Sequence, residues 1–271
     1  MQSAQVNGLS LAYRELGSGP AVLLLHGWPT SSYLWRDVMP PIAQRNRVIA
    51  LDLPGFGGSD KPADATYDFA FFEQAIDGFL EELGGETTGL AVHDLGGPVG
   101  VHWALRNRRR VTKLALLNTL VYPEFSEAVL AFIKACSNPE LAAQITSPQG
   151  LEAGMKLGLA DDAHLTDESL AAVQAPFESE ESRRALAAAG IGLEVEGFAE
   201  IARELPSLEI PVRVIYGERD RILPDVAETM ARVKRDLPQA EVTSLPGCGH
   251  FLQEEAGPQI GSDLARFFAS G

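Results

Sequence analysis

A short segment in the first half of the chain places a carboxylate where a strand should turn into a helix. Residues 92–100 read VHDLGGPVG, so an apolar run stops at Asp94 and is followed by Gly96 and Gly97. Such a junction presents a nucleophile, because small neighbours let the backbone crowd and the helix N-terminus faces the reacting group. Aspartate is also favoured at helix N-caps, but no G-x-S-x-G sequence offers a competing serine. We predict that Asp94 is a nucleophile.

Two further side chains complete a catalytic group toward the C-terminus. Asp220 follows the apolar run VRVIYG, and His250 ends the glycine-rich segment after the last predicted strand. A histidine beside a carboxylate can act as a general base, because the carboxylate orients the imidazole and stabilises its charged form. The sequence therefore predicts Asp94 as nucleophile, His250 as general base and Asp220 as the acid partner of His250.

An aspartate nucleophile limits the class of substrate. A carboxylate that attacked an ester or amide would form an anhydride, which lies uphill in free energy. Attack on a saturated carbon that carries a leaving group instead forms an ordinary alkyl ester, and covalent catalysis then divides the reaction into two steps. Asp94 therefore indicates an electrophilic sp³ carbon, as in an alkyl halide or an epoxide, and water activated by His250 would cleave the ester.

Short β-rich runs alternate with helical patterns around these residues, which predicts a parallel sheet covered on both faces. Thr66 is a predicted N-cap of the first long helix, and Gly84 with Gly85 should end that helix. The predicted strands, in chain order, are LSLAYREL, AVLLLHG, RVIALDLPG, TGLAVHD, KLALLNT, PVRVIYGERD and AEVTSLPGCGH. The reactive residues all lie at the carboxyl ends of such strands, where open α/β sheets bind their ligands.

An Ala-rich and Glu-rich stretch between about 124 and 205 interrupts this alternation. Its short helical patterns are broken by Pro and Gly and are more apolar than solvent-facing helices. We predict one α/β core, formed by residues 1–121 and 206–271, with a helical cap formed by 122–205. The cap should pack over the carboxyl ends of the strands and form the upper part of a ligand pocket.

Composition excludes several other classes of function. The formal net charge of the 271 residues is -15 and the pI is about 4.7, so the surface repels nucleic acids and anionic membranes. No secretion signal or membrane span is evident, and we expect a cytoplasmic protein. Cys136 and Cys248 are predicted to be free thiols. His26 and His93 lack metal-ligand spacing and are interpreted as core histidines, so neither a metal nor an organic cofactor is expected.

Four motifs in a fixed order resemble the haloalkane dehalogenase group of the α/β-hydrolase fold, to which epoxide hydrolases are closely related. They are HGWPTSSYLWR at 26–36, DLPGFGGSDKP at 52–62, VHDLGGPVG at 92–100 and GHFLQEE at 249–255. The resemblance implies a mostly parallel eight-stranded sheet with an inserted helical cap. It also implies hydrolysis of small neutral apolar haloalkanes to alcohol and halide. Some dehalogenases keep the acid after the sixth strand, but Asn118 stands there, so Asp220 should be the acid.

The resemblance also implies which groups stabilise charge in the site. The backbone N–H groups of Trp28 and Leu95 correspond to the oxyanion donors. Haloalkane dehalogenases hold the departing halide with side-chain N–H groups, usually from a Trp directly after the nucleophile and from a second Trp or an Asn. Leu95 donates nothing, so the Trp28 indole is the remaining candidate donor. A donor role for Trp28 and a role as plain pocket wall are both open.

Two alternative functions remain at this stage. Epoxide hydrolases protonate the opening alkoxide with cap tyrosines, but residues 124–205 contain no tyrosine, and Tyr122 lies only at the entrance to the cap. Tyr122 or His164 would have to supply the acid. Relatives that act on fluoroacetate carry an Arg after the nucleophile, where this chain has Leu95. The alternative of another class is a ligand-binding member of the fold without turnover.

Overall fold

Eight strands form in this computed structural model, which describes residues 1–85 and 87–269. The strands at the centre are buried along their whole length, as expected of a sheet covered on both faces. They are β1 (Gln2–Val6), β2 (Leu9–Leu16), β3 (Ala21–Leu25), β4 (Arg47–Leu51), β5 (Thr88–His93), β6 (Val111–Leu117), β7 (Val212–Gly217) and β8 (Glu241–Leu245).

The eight strands form one sheet in the order β1-β2-β4-β3-β5-β6-β7-β8. β1 and β2 are antiparallel to their neighbours, and the six strands from β4 to β8 pair in parallel. The prediction of a mostly parallel eight-stranded α/β fold is therefore confirmed. The parallel strands share one carboxyl edge, which brings the ends of β3, β5, β6 and β7 together.

The helices follow the predicted alternation, with differences at their ends. Asp68, rather than the predicted Thr66, caps α2, since its carboxylate accepts the N–H of Phe71 at 2.7 Å while the Thr66 hydroxyl bonds to Asp68. The helices are α1 (Met39–Ile42), α2 (Phe69–Glu82), α3 (Gly96–Arg106), α4 (Glu127–Ser137), α5 (Pro139–Ile145), α6 (Pro148–Gly158), α7 (Asp167–Gln174), α8 (Glu180–Ala189), α9 (Val195–Glu204), α10 (Val226–Asp236) and α11 (Leu252–Ala269).

Two apolar clusters cover the two faces of the sheet. Alternate residues of a strand point to opposite faces, so Leu23 and Leu25 join one cluster while Val22 and Leu24 join the other. The second cluster lies under α1 and α11. The first continues into helices of the segment between β6 and β7, through residues such as Met155. That segment therefore shares its core with one face of the sheet.

Helices α4 to α9 all lie between β6 and β7, within the interval that the sequence assigns to a cap. An ion pair fastens this layer to the sheet-bearing part of the molecule. Arg36 donates to both carboxylate oxygens of Glu254 at 2.7 and 2.6 Å, and the Ser169 hydroxyl of α7 donates to the same carboxylate at 2.9 Å. Glu254 is almost fully buried, so this cluster fixes α7 against α11.

Candidate active site

Asp94 lies at the turn between β5 and α3 and has a φ of 49°. This is the left-handed backbone conformation, which residues other than glycine rarely adopt. Two close approaches maintain this strained turn. A Cβ at Gly96 would collide with the carbonyl of His26, and a Cβ at Gly27 would collide with the Asp94 carboxylate itself. Packing therefore requires glycine at both positions. The left-handed backbone of Asp94 itself costs about 1–3 kcal/mol of folding free energy, because Asp94 is not a glycine.

Three groups hold the Asp94 carboxylate. The backbone N–H of Trp28 donates to Oδ1 at 2.7 Å, and the backbone N–H of Leu95 also hydrogen-bonds the carboxylate. The other oxygen, Oδ2, lies 3.3 Å from Nε2 of His250. Oδ1 thus accepts a backbone donor, while Oδ2 faces the imidazole. This arrangement matches what a carboxylate nucleophile and its oxyanion site require.

His250 is tied to Asp220 by a 2.8 Å contact between Nδ1 and Oδ2. Asp220 has further partners, because its Oδ1 accepts the backbone N–H groups of Ile222 and Leu223 at 2.8 and 2.7 Å. The side chains of His250 and Asp220 are 1% and 0% exposed, whereas 15% of the Asp94 side chain is exposed. Of the three, only Asp94 is therefore readily reached from outside.

The charges of the three residues support one another. Burial would raise the pKa of Asp94 and of Asp220, but hydrogen bonds and the charge of His250 hold both pKa values below the ordinary range. Burial would likewise lower the pKa of His250, yet the two carboxylates outweigh it and raise that pKa to about 10. At neutral pH the site therefore holds two carboxylates and an imidazolium.

Asn118 is a member of the site that the sequence interpretation did not assign. It directly follows β6, and its amide donates to Oδ2 of Asp220 at 2.7 Å while its Oδ1 accepts the N–H of Gly217 at 2.9 Å. The neighbouring Thr119 hydroxyl donates to the Asp94 carbonyl at 2.7 Å. The signal was present in the sequence, because polar residues directly after a buried strand next to β5 must lie beside the nucleophile.

The remaining histidines near the site have structural partners. Nε2 of His93 lies 2.9 Å from the His250 carbonyl, and burial with the charge of His250 lowers the pKa of His93 to about 3. Its neutral ring therefore donates Nε2–H and supports the backbone of the base. Nε2 of His26 accepts the N–H of Leu53 at 3.1 Å. No metal-binding group of His, Cys, Asp or Glu occurs among residues 1–85 and 87–269.

A cavity of about 600 Å³ opens above Asp94. Its walls are almost wholly apolar, and they come from the end of β5, from α4, α6 and the segment after α8, and from the loop after β7. Charged or amide side chains on the wall are Asp94, Gln144 and Arg221, and the Arg221 guanidinium is bonded to backbone carbonyls of residues 156, 157 and 159. The nucleophile therefore faces an apolar ligand space.

The Trp28 side chain does not offer its N–H to a ligand in this structure. Its Nε1–H donates to the backbone carbonyl of Leu186 in α8 at 3.1 Å, and its ring packs edge-on against Phe132 of α4 at 4.9 Å. The indole thus joins the loop after β3 to two cap helices. Of the two roles left open for Trp28, this geometry matches the pocket wall, and Leu95 adds a second apolar wall residue.

The two candidate acids for the epoxide alternative lie elsewhere. The Tyr122 hydroxyl donates to Asp236 at 2.7 Å, and Tyr122 does not line the cavity. His164 is exposed in a short 3₁₀ turn outside the cavity. Neither residue can reach an alkoxide above Asp94 without a rearrangement of the cap.

The C-terminal end of α6 contacts both loops that carry the acid and the base. The backbone N–H of His250 donates to the Gly158 carbonyl at 2.6 Å. Arg221, directly after Asp220, donates to the Leu157 carbonyl at 2.9 Å. A cation at this end also complements the helix dipole. The placement of the catalytic pair therefore depends on a cap helix.

Glu255 provides a second link between the cap and the loop of the base. Its Oε2 accepts the N–H of Gly249 at 2.6 Å, and its Oε1 accepts the N–H groups of Ala160 and Asp161 at 2.7 and 3.1 Å. The Glu255 carboxylate thus binds the backbone of the loop before His250 and the backbone that follows α6. Nothing in the sequence pattern alone indicated this connection.

The predictions about the two cysteines and about membrane spans can be compared with the described part of the chain. Cys136 and Cys248 are free and buried, and burial raises the pKa of Cys136 to about 12, so neither is a reactive thiolate. Across residues 1–85 and 87–269, no helix is both long enough and apolar enough to cross a bilayer.

Comparison with known proteins agrees with the fold. Residues 20–257 match the family model described as alpha/beta hydrolase fold. A haloalkane dehalogenase of Sphingobium indicum is 31% identical, over 97% of this chain and 93% of the relative. The crystal structure of the haloalkane dehalogenase DbeA from Bradyrhizobium elkani superimposes with a TM-score of 0.87 at 28% identity, covering 99% of this chain and 97% of that one.

An epoxide hydrolase, CorEH, solved without ligand, superimposes with a TM-score of 0.84 at 28% identity, covering 99% of this chain and 98% of that chain. Both relationships suggested by the four sequence motifs are thus found among solved structures. Likeness over nearly the whole length of each protein includes the cap as well as the sheet. The chain therefore belongs to the α/β-hydrolase family, in the group that includes the haloalkane dehalogenases.

Proposed function

We propose that this hydrolase converts neutral apolar haloalkanes to alcohol and halide through an ester on Asp94. The observation that carries the proposal is the position of the Asp94 carboxylate. Its Oδ1 is held by the backbone N–H of Trp28 and its Oδ2 faces His250, at the floor of an apolar cavity. The relationship to haloalkane dehalogenases over nearly the whole chain supports the choice of halide.

In the first step, Oδ2 of Asp94 attacks the carbon that carries the halogen. The new C–O bond forms as the carbon–halogen bond breaks, and the halide leaves with the bonding electron pair. The product is an alkyl ester of Asp94, and no proton is required. The hydrogen bond from Trp28 to Oδ1 fixes the carboxylate so that Oδ2 is presented to the cavity.

In the second step, His250 removes a proton from water, and the hydroxide attacks the ester carbon of Asp94. Negative charge then develops on Oδ1, where the N–H of Trp28 is already placed, and the N–H of Leu95 is a second donor to the same carboxyl group. Collapse of this intermediate expels the alcohol, which takes the proton from His250. Asp94 is left as a carboxylic acid with one oxygen derived from water, and its proton passes to the neutral His250, which restores the carboxylate and the imidazolium.

The charges of the site give the two steps their order. Asp94 and Asp220 together raise the pKa of His250 to about 10, so the imidazole is protonated before the substrate reacts. Esterification removes the charge of Asp94, and the pKa of His250 falls because one of its two carboxylate partners is lost. The imidazolium then releases its proton to solvent, and this is the proton that accompanies the departed halide in the overall reaction. The base therefore becomes available when the ester that it must hydrolyse has formed.

The epoxide alternative has one observation in its favour, the structural likeness to an epoxide hydrolase. Ring opening would leave an alkoxide that needs an acid, and Tyr122 and His164 lie outside the cavity. A halide departs without a proton, so the halide reaction does not require the acid that the described residues of the cavity wall lack. The halide reaction is for this reason our first choice.

The test is mass spectrometry of the His250→Ala protein after incubation with bromoalkanes and, separately, with aryl epoxides. Without the base, an ester on Asp94 should accumulate, and its mass identifies the electrophile. We expect alkyl adducts from the bromides, and none in an Asp94→Asn, His250→Ala double variant. Hydroxyalkyl adducts from the epoxides alone would establish the alternative. Absence of adducts from both panels would favour a binding protein without turnover.

A further inference from the structure

The cavity above Asp94 is larger than a small haloalkane needs. Its volume of about 600 Å³ lies in the range of pockets that enclose drug-sized ligands. Its walls present few free polar groups to a ligand. The side chain of Arg221 is bonded to backbone carbonyls, and Gln144 is exposed at the edge. A two- or three-carbon halide would leave most of this apolar wall without a partner.

Helix α6 forms one side of the cavity and contains three glycines, each of which costs stability in a helix. Packing requires two of them, since a Cβ at Gly150 would collide with the Gln144 carbonyl and a Cβ at Gly158 would collide with the Phe251 ring. Gly154 differs, because a Cβ there would meet nothing within 4 Å. Neither neighbouring side chains nor a left-handed backbone therefore explains this glycine.

Gly154 lines the same cavity as Asp94. Of the three glycines of α6, Gly154 is the one with open space beside it, and it also lines the ligand pocket. Helix α4 also lines the cavity and contributes three small residues, Ala128, Ala131 and Ala135, beside the larger Val129, Phe132 and Ile133. At Gly154 itself, no protein atom lies within 4 Å of the position that a Cβ would take.

We infer that the substrate is a long-chain or bulky apolar halide whose hydrocarbon part lies against α6 at Gly154, so that Gly154 determines the accepted substrate size. This inference rests on the proposed function, and it replaces the expectation of a small haloalkane. Each methylene buried in the cavity should raise kcat/KM about fourfold, which corresponds to about 0.8 kcal/mol. The increase should stop when the cavity is full.

The experiment measures bromide release from a series of linear bromides, from bromopropane to bromodecane. In the wild-type protein, kcat/KM should rise with chain length. Gly154→Val should lose at least about tenfold on bromodecane and little on bromopropane, because the added side chain occupies the space of the chain. Gln149→Val is the matched control, since Gln149 is exposed on the same helix and does not line the cavity.

Stability gives a second readout. Gly154→Ala should raise the Tm by about 1–4 °C, because alanine is the better helix former and meets no obstacle. A lower Tm would show that Gly154 serves packing, and the inference would be wrong. The inference would also be wrong if kcat/KM were flat or fell with chain length, or if Gly154→Val lost activity equally on short and long bromides.

Failure of the proposed function can be separated from failure of this inference. If only short bromides release bromide, the dehalogenase function stands and the size inference is overturned. If no bromide is released at all, the proposed function fails, and binding still tests the cavity. Decanol should then raise the Tm of the wild-type protein more than propanol does, and Gly154→Val should remove that difference; equal shifts would overturn the inference.

Discussion

The floor and the roof of the active site are built by different means. The floor consists of loops at the carboxyl ends of β3, β5, β6, β7 and β8, where Asp94, Asp220 and His250 are held by backbone N–H groups and by one another. The roof consists of cap helices whose cavity-facing residues are mainly alanine, glycine and larger apolar side chains. From this comparison we expect changes in the floor to act mainly on the chemistry and changes in the roof to act mainly on the choice of substrate.

The largest expected effect comes from the floor. Asp94→Asn keeps the shape of the side chain and an acceptor for the Trp28 N–H, but it removes the nucleophilic oxygen that attacks carbon. We expect halide release to fall by about 10⁴-fold or more. Asparagine tolerates the left-handed conformation, so the Tm should change little. Halide release and thermal unfolding measured on the same preparation check this, and retained turnover would show that another residue is the nucleophile.

The floor was predictable from the sequence because its signals are local. Asp94 lies between a buried strand and two glycines, and His250 follows a glycine-rich turn after the last strand, so each role follows from a few adjacent residues. Asn118 was not assigned, although it directly follows β6, because its role depends on Asp220, which lies 102 residues away along the chain. A local pattern identifies the position but not the partner.

The roof was predictable only as a set of helices. The contact between the Trp28 indole and the Leu186 carbonyl joins residues 158 positions apart, and no sequence periodicity specifies it. The same is true of the bonds from Glu255 to the backbone at 160 and 161. Helix packing angles follow from many weak contacts acting together, so cavity shape becomes known only with the structure.

Glu255 tests whether floor and roof are independent, because its carboxylate connects the loop of His250 to the backbone after α6. Glu255→Ala removes both acceptors and should lower kcat about tenfold, since small displacements of a base are costly. The free energy of unfolding should fall by about 1–3 kcal/mol. Glu255→Gln retains one acceptor oxygen, so its kcat and its free energy of unfolding should lie between those of the wild type and of Glu255→Ala. The measurement is steady-state kinetics well below the Tm of each variant.

A purely structural role for Glu255 would lower the Tm and leave kcat unchanged at saturating substrate. A positioning role changes kcat and also the pH dependence of ester hydrolysis, because the contacts of His250 with Asp220 and Asp94 set its pKa. The two roles therefore differ in a measurement that does not depend on stability. An unchanged kcat and pH profile in Glu255→Ala would mean that the floor holds its geometry without the roof.

The smallest expected effect concerns Trp28, which belongs to both regions. Its backbone N–H serves the floor, and its indole N–H is bonded to the roof through Leu186. Trp28→Phe removes only the second bond, so stability should fall by about 1 kcal/mol and the ester chemistry should persist. The kcat/KM for a chloroalkane divided by the kcat/KM for the corresponding bromoalkane should also be unchanged. If the indole instead turned to stabilise the departing halide, the poorer leaving group would depend on it more, and chloride turnover would fall further than bromide turnover. The ratio therefore decides between the two roles of Trp28, even where the loss of total activity is too small to do so.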